Sequence, residues 1–176
     1  MDAPADAVRA LVDKDRIREL GLLYCRAVDR KDVALLRTLY TEDATDTHGD
    51  TFDGPAAAYC DFIEKSVPHM PYSGHHVCNH LIALDGDEAD GEIYAIATHV
   101  IPDRQGGWLE DIRWVRYIDR YRREADGCWR FAKRIVTYDH QSLRPLGTPP
   151  VDVGDGSGDP SYAALSARLF ARGARD

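Results

Sequence analysis

The sequence lacks several features that would point to a membrane, a nucleic acid or a disulfide framework. No apolar run approaches the roughly 20 residues that a helix needs to span a bilayer. Basic residues are in the minority, and the net charge of −8 argues against a nucleic-acid partner. The four cysteines stand singly without a C-x-x-C pair, which is typical of reduced thiols. No phosphate loop, dinucleotide fingerprint or G-x-S-x-G elbow is present, so the commonest nucleotide-binding and serine-hydrolase interpretations are removed.

The length and the two ends of the chain predict one domain with an extension. The segment Met1-Asp2-Ala3-Pro4 has neither the basic start nor the apolar centre of a signal peptide, so we expect a cytoplasmic protein. A chain of 176 residues is long enough for one domain with a real core. We assign residues 1–140 to that domain and residues 141–176 to an extension that could form a lid or an interface. Residues 146–160 are rich in proline and glycine and should be irregular, and residues 161–172 could form a short helix.

The first third of the chain has the period of helices. Residues 8–30 predict a helix whose apolar stripe faces the core: Ile17, Leu20, Tyr24, Ala27 and Val28. Residues 33–40 predict a second short helix, and a third begins after Gly54-Pro55. Asp29 lies at the C-terminal end of the first helix, where the helix dipole disfavours a carboxylate, so a local partner is expected.

From residue 74 onwards the period changes from 3.6 to 2, which predicts antiparallel strands. Turns at Asp85-Gly86 and Asp126-Gly127 divide them into hairpins. One strand face carries two alanines beside a histidine, as a pocket wall would: Ile93, Ala95, Ala97, His99 and Ile101. Helices followed by strands indicate an α+β fold, in which one curved, mostly antiparallel sheet wraps around the N-terminal helices.

The strand after the third helix contains three histidines. Strict alternation places His76, Cys78 and His80 on one face and His75 on the other, so at least one imidazole points inwards. The first of these faces could bind zinc or iron if His99 completed the ligand set. Satisfied core residues are the alternative interpretation. Exposed positions are expected for the histidines that have no partner visible in the sequence: His48, His69, His75 and His140.

These elements resemble the nuclear-transport-factor-2-like (SnoaL-like) superfamily of cone-shaped, cystatin-like α+β barrels. The resemblance rests on YCRAVDRKD at residues 24–32, HHVCNH at 75–80, ADG at 89–91 and GCWRFAKR at 127–134, and it covers about residues 10–140. Within the superfamily, the motifs are similar to those of scytalone dehydratase, bile-acid dehydratase and hexachlorocyclohexane dehydrochlorinase. The resemblance implies an Asp–His dyad that works without a metal or an organic cofactor.

The resemblance also implies the roles of five residues. Asp29 matches the acid at the end of the first long helix, and His76 matches the base on the strand. Arg134 would stabilise developing negative charge, Tyr24 would hydrogen-bond a substrate oxygen, and His99 would protonate a leaving hydroxide. A purely structural pairing of the acid and the base is the competing interpretation.

The expected substrate is a small apolar molecule, aromatic or otherwise ring-containing. Its predicted contacts are Cys78, His80, Tyr94, Trp114 and Phe62, and Tyr117 is a further candidate for an aromatic wall. The leading interpretation is a lyase that performs dehydration. C–C cleavage such as deformylation, isomerisation and cyclisation would need the same groups. The alternative from another class is a non-catalytic binding or assembly domain, and a homodimer or homotrimer could form through the strand face of Trp108, Trp114 and Ile118.

Overall fold

Helices pack against one six-stranded sheet in the computed structural model, which describes residues 3–148, 151 and 154–175. The helices are α1 (Ala3–Asp29), α2 (Val33–Thr38), α3 (Ala56–Ser66) and the short α4 (Pro160–Ala164). The strands are β1 (Tyr40–His48), β2 (Phe52–Pro55), β3 (Tyr72–Asp85), β4 (Glu88–Pro102), β5 (Trp108–Arg123) and β6 (Trp129–Pro145). The predicted α+β class is confirmed. None of the helices in these ranges is long and apolar enough to cross a membrane.

The sheet has the strand order β2-β1-β6-β5-β4-β3, so it stays open with β2 and β3 at its edges. Neighbouring strands are antiparallel except for the parallel pair β1 and β6. The predicted hairpin turns lie at Gly86 and Gly127, which both have positive φ angles of the kind that favours glycine. Strand β3 is thus at one edge of the sheet, and β1 lies near the other edge, next to β2.

Helix α1 fills the concave side of the sheet with the predicted apolar stripe. All five stripe residues are buried, and Tyr24 packs edge-on against Tyr117 of β5 and Phe131 of β6. Helix α2 is shorter than predicted because Tyr40 already belongs to β1. Strand β6 runs to Pro145, beyond residue 140 where the predicted domain ends, since its last residues pair with the start of β5.

A β-bulge at Cys78 decides which histidines of β3 face inwards. Val77 pairs with Ala95 and Asn79 pairs with the adjacent Tyr94, so Cys78 is an extra residue in the ladder. A bulge of this kind shifts the side-chain alternation by one position. Consequently His75, before the bulge, and His80, after it, both face α1. The predicted strict alternation is wrong, because it placed these two histidines on opposite faces.

Arg134 and Asp119 form a fully buried ion pair between β6 and β5. They are direct cross-strand partners, both side chains have 0% exposure, and two N–H···O bonds of 2.8 Å join them. The guanidinium carbon lies 4.0–4.4 Å from the ring centroids of Tyr24, Tyr117 and Phe131. Cation–π contacts of this kind stabilise a desolvated guanidinium.

The described part of the C-terminal extension lies against α1 and α2. Arg26 of α1 donates a hydrogen bond to Ser161 Oγ at 3.0 Å and lies over the rings of Tyr162 and Phe170. The backbone N–H of Gly173 donates to Asp32 at 2.8 Å. Residues 149–150 and 152–153 of the predicted irregular segment lie outside the described residues. No described residue of 141–176 lines the cavity between the helices and the sheet, and the role of this extension as a lid or an interface stays a prediction.

The bulge makes a prediction about thiol reactivity. Cys78 is exposed, whereas burial raises the pKa of the Cys25 thiol to about 12 and that of Cys60 to about 11. Since the thiolate is the reactive form, we expect native protein to react with Ellman's reagent at Cys78 but not at the two buried thiols. Cys78→Ser should remove the fastest-reacting equivalent, and Cys60→Ser should leave it in place. Peptide mapping locates the label, since Cys128 is partly exposed. Absence of label on Cys78 in native wild-type protein would contradict the assigned strand face.

The buried ion pair makes a prediction about stability. Asp119→Asn leaves the Arg134 charge buried without a counter-charge, which typically costs about 3–5 kcal/mol of unfolding free energy. The matched control is Asp90→Asn, because Asp90 pairs with Arg120 at 3.5 Å with both side chains mostly exposed. Such an exposed pair contributes about 0–1 kcal/mol. Urea unfolding measures both, and equal losses would show that the buried pair does not stabilise the core.

Candidate active site

A cavity of about 190 Å³, called the central cavity below, lies between the helices and the concave face of the sheet. Its apolar lining comes from both layers: Val28, Phe62, Ile63, Met70, Ala97, Ile101, Val115, Tyr117 and Val136. Its polar lining is Tyr24, His48, Thr51, Tyr59, Ser66, His75, His99, Asp111, Arg113 and Tyr138. About half of the lining residues carry a polar group, but most of the surface that they present to the cavity is apolar. A mainly apolar surface with convergent polar groups is the usual form of a small-molecule site.

Asp29 and His75 form a hydrogen-bonded pair at this cavity. The His75 Nδ1 atom lies 2.6 Å from Asp29 Oδ1, and the His75 backbone N–H donates to Asp29 Oδ2 at 2.9 Å. The side chains are only 7% and 13% exposed. Because a carboxylate only accepts hydrogen bonds, Nδ1 must carry a hydrogen, and in the neutral ring Nε2 then has the free lone pair.

The environment of Asp29 stabilises its charged form. Burial raises the pKa of this carboxyl, but the hydrogen bonds from His75 and from Ser73 Oγ (3.0 Å) outweigh it, so the pKa is held below its ordinary value. These donors supply the local compensation that a carboxylate at a helix C-terminus needs. Asp29 therefore remains an acceptor that fixes the tautomer of His75.

The predicted pairing of Asp29 with His76 is wrong. Ser73 and His75 share the strand face that meets the end of α1, whereas His76 points to the opposite face and is exposed. Beyond the bulge, even-numbered residues such as Ile82 and Leu84 share the inward face of His80. Before the bulge the odd-numbered residues face α1, so His76 does not.

His99 lies beside His75, with a distance of 5.6 Å between the ring centroids. Burial, and then the neighbouring His75, lower the pKa of His99 to about 4. The ring is thus neutral near pH 7 and can donate one N–H hydrogen bond. This neutral ring is not the imidazolium that the predicted acid role needs, and the role of His99, which lines the cavity, stays a prediction.

Arg134 does not reach the central cavity. Its charge is neutralised by Asp119, and its one orphan nitrogen, Nη1, has no hydrogen-bond partner in the described part of the chain because it lies among aromatic rings. The predicted clamp on developing negative charge is therefore wrong. A different arginine, Arg113, lines the cavity: its Nε donates to Asp111 at 2.8 Å, and it lies over the ring of Tyr138.

Two predicted substrate contacts, Tyr24 and Phe62, do line the cavity, as does Tyr117. The other four do not. Cys78 is exposed, and Tyr94 and Trp114 lie on the outer face of the sheet with 42% and 38% exposure.

His80 faces inwards but hydrogen-bonds the hydroxyl of Tyr121 at 3.0 Å, away from the cavity lining. Burial lowers the pKa of His80 to about 4. The bulge also separates the suggested metal ligands, since His76 and Cys78 point away from His80. Within residues 3–148, 151 and 154–175, no three His, Cys, Asp or Glu side chains are placed to hold a metal ion.

The sequence interpretation missed a second Asp–His pair, formed by Asp46 and His48 of β1. His48 Nδ1 donates a short hydrogen bond to Asp46 Oδ1, and Tyr40 donates to Asp46 Oδ2 at 2.6 Å. His48 was expected to be exposed, as was His75, and both expectations are wrong. Ala44, Asp46 and His48 share one face of β1, but the alternation alone does not show that this face is the buried one.

Similar folds occur in solved structures of low sequence identity. The Kfla4162 protein of Kribbella flavida has a TM-score of 0.68 and 23% identity, over 76% of this chain and 95% of that one. A scytalone dehydratase-like protein of Novosphingobium aromaticivorans has a TM-score of 0.68 and 20% identity, over 81% and 94% of the two chains. A hexachlorocyclohexane dehydrochlorinase, LinA-type3, of Novosphingobium barchaimii has a TM-score of 0.69 and 18% identity, over 82% and 98%.

No curated protein sequence matches the chain at a significant level. The family comparison does give a match: the model of the SnoaL-like domain aligns with residues 9–135, which is most of the chain. The recognition made from the sequence motifs is thereby confirmed. The chain belongs to the SnoaL-like domain family.

Proposed function

We propose that the protein is a cofactor-independent lyase in which the Asp29–His75 pair removes a proton from carbon. One observation carries the proposal: His75, which lines the central cavity, has its Nδ1 atom 2.6 Å from Asp29 Oδ1. A histidine held in this way is a general base whose free nitrogen is directed by its partner. The SnoaL-like family and structural neighbours of dehydratase and dehydrochlorinase type make a lyase-like or isomerase-like role plausible.

The chemistry follows from the tautomer of His75. Asp29 accepts the Nδ1 hydrogen, so Nε2 presents its lone pair and can take a proton from a carbon atom that a carbonyl group or a leaving group has made acidic. As the ring becomes cationic, the Asp29 carboxylate stabilises it through the hydrogen bond it already makes. Loss of a β-substituent then completes an elimination.

The size of the central cavity limits the substrate. A cavity of about 150 Å³ is enough for benzene. The central cavity of about 190 Å³ would therefore hold one ring with small substituents. Phe62, Tyr117 and Met70 offer apolar and aromatic surface to such a ring. We propose a small ring-containing molecule as the substrate, with dehydration as the leading reaction.

Other reactions and a non-catalytic role use the same cavity. Isomerisation, cyclisation and C–C cleavage would each begin with proton removal by His75, so the exchange experiment below includes them. A ligand-binding domain would need the cavity but not the tautomer-fixing contact from Asp29. The homodimer or homotrimer remains a prediction, and Trp114 and Ile118 are exposed on the strand face that was suggested for it.

The proposal predicts that His75→Asn abolishes proton abstraction. Wild-type protein is incubated in D₂O with a panel of cyclic ketones and β-hydroxy ketones, and mass spectrometry follows deuterium uptake and loss of water. Loss of a positioned base should reduce the rate by about 10²–10⁴-fold. Asp29→Asn should also reduce the rate of proton abstraction, because the amide cannot stabilise the cationic His75 ring.

The matched control is the neighbouring exposed residue. His76→Asn changes the same chemical group one position along β3, on the face that points away from α1, and should keep the wild-type rate. Wild-type turnover that survives in His75→Asn would refute His75 as the base. Turnover that is lost in His76→Asn alone would restore the original assignment.

A further inference from the structure

Three polar side chains of the central cavity form a hydrogen-bonded cluster, with Asp46 behind them, that the proposed proton abstraction does not use. Asp46 and His48 of β1 form the second pair, and the hydroxyls of Tyr59 and Tyr24 lie 3.0 and 3.2 Å from His48 Nε2. The two hydroxyls lie 2.9 Å from each other, so the three atoms close a triangle, called the hydroxyl triangle below. His48, Tyr59 and Tyr24 all line the cavity.

The Asp46–His48 pair is a separate unit from Asp29–His75. Strand β1 is four strand spacings from β3 in the sheet, which amounts to about 19 Å measured along the sheet at about 4.8 Å per strand. The two histidines therefore enter the cavity from opposite sides. Both histidines nevertheless line the same cavity of about 190 Å³, so one small molecule can contact both.

The number of hydrogens in the triangle determines what it offers to a ligand. The Asp46 carboxylate accepts from His48 Nδ1, so Nε2 is a free acceptor when the ring is neutral and a donor when it is protonated. Burial raises the pKa of Tyr24 and of Tyr59 well above the ordinary value, so both stay phenols with one hydrogen each. With a protonated ring, Nε2 accepts nothing, and the two oxygens can share only one of the two phenolic hydrogens. At least one hydroxyl hydrogen must then point out of the triangle.

We propose that Asp46, His48, Tyr59 and Tyr24 form a second proton-transfer unit of the central cavity, which binds and protonates an oxygen atom of the substrate. Asp46 and His48 are positioning residues, and a tyrosine hydroxyl touches the substrate. This deepens the proposed function and rests on it for the identity of the base. It narrows the substrate to a ring that carries a hydroxyl oxygen on the carbon next to the acidic C–H bond, with the C–H and C–O bonds on opposite faces of the ring.

For dehydration the two units together balance every proton. His75 Nε2 takes the proton from carbon, and the electron pair of that C–H bond forms the new C=C bond. The C–O bond breaks with its electron pair on oxygen, which takes the hydrogen of the tyrosine hydroxyl and leaves as water. His48 returns a proton from Nε2 to the tyrosine oxygen. Solvent then removes one proton from His75 and supplies one to His48.

The inference is tested by binding, without turnover. The probes are 4-nitrophenol and nitrobenzene, which share a ring and a nitro group but differ in the hydroxyl oxygen. Isothermal titration calorimetry should show that wild-type protein prefers 4-nitrophenol by about tenfold or more, as expected for one or two buried hydrogen bonds. Bound 4-nitrophenol should also show the absorbance band of its phenolate if the triangle holds the additional hydrogen and donates it to the probe's oxygen.

The variants separate hydrogen bonding from packing. Tyr59→Phe removes one oxygen and keeps the ring, and it should lower 4-nitrophenol affinity about tenfold while nitrobenzene changes by less than about twofold. Asp46→Asn should reduce the preference and the phenolate band in the same way, since it no longer stabilises a cationic His48. Tyr94→Phe is the matched control, because it removes a tyrosine oxygen from the outer face and should change neither ligand.

The outcomes distinguish this unit from the base. Equal affinity of wild-type protein for the two probes, or equal losses for both probes in Tyr59→Phe, would overturn the second unit and leave the exchange test of His75 standing. A wild-type exchange rate in His75→Asn would overturn the base and leave the binding result standing.

Discussion

The arrangement of the site depends on one ionised carboxylate, Asp29, at the end of the longest helix. A carboxylate there is disfavoured by the helix dipole and by burial, and it is retained because Ser73 and His75 donate three hydrogen bonds to it. These bonds connect α1 to the edge strand β3. They fix both the position of the helix against the sheet and the tautomer of the histidine. Fold and chemistry thus share the same contact.

Around this contact, the buried charges have distinct roles. Arg134 and Asp119 neutralise each other among aromatic rings and stabilise the core, whereas the pairs of Asp29 and Asp46 each end in a histidine at the cavity. An arginine without a counter-charge could bind a substrate anion. Arg134 cannot bind such an anion, because Asp119 directly opposite already neutralises its charge. Arg134 and Asp119 are therefore a structural pair and not part of the site.

The fold could be predicted from the sequence more completely than the site. The stripe of α1, the change of period at residue 74 and the Asp-Gly turns are local signals, and they gave the helices, the hairpins and the family. The role of Asp29 as the acid of the pair could also be predicted, because the residue lies at the end of the first long helix. The choice of His75 over His76 did not, because it depends on a bulge at Cys78 that no turn residue marks. His48 was missed because its partner, Asp46, is recognisable only when the burial of β1 is known.

The most direct test of the central claim is the protonation of the His75 ring in solution. Long-range ¹H–¹⁵N correlation spectra of the histidine side chains, assigned with the His75→Asn variant, report which ring nitrogen carries the hydrogen. In the neutral ring, the Asp29 contact predicts hydrogen on Nδ1 and a bare Nε2. Hydrogen on Nε2, with Nδ1 bare, would contradict the claim, because Nε2 could then not accept a proton from carbon.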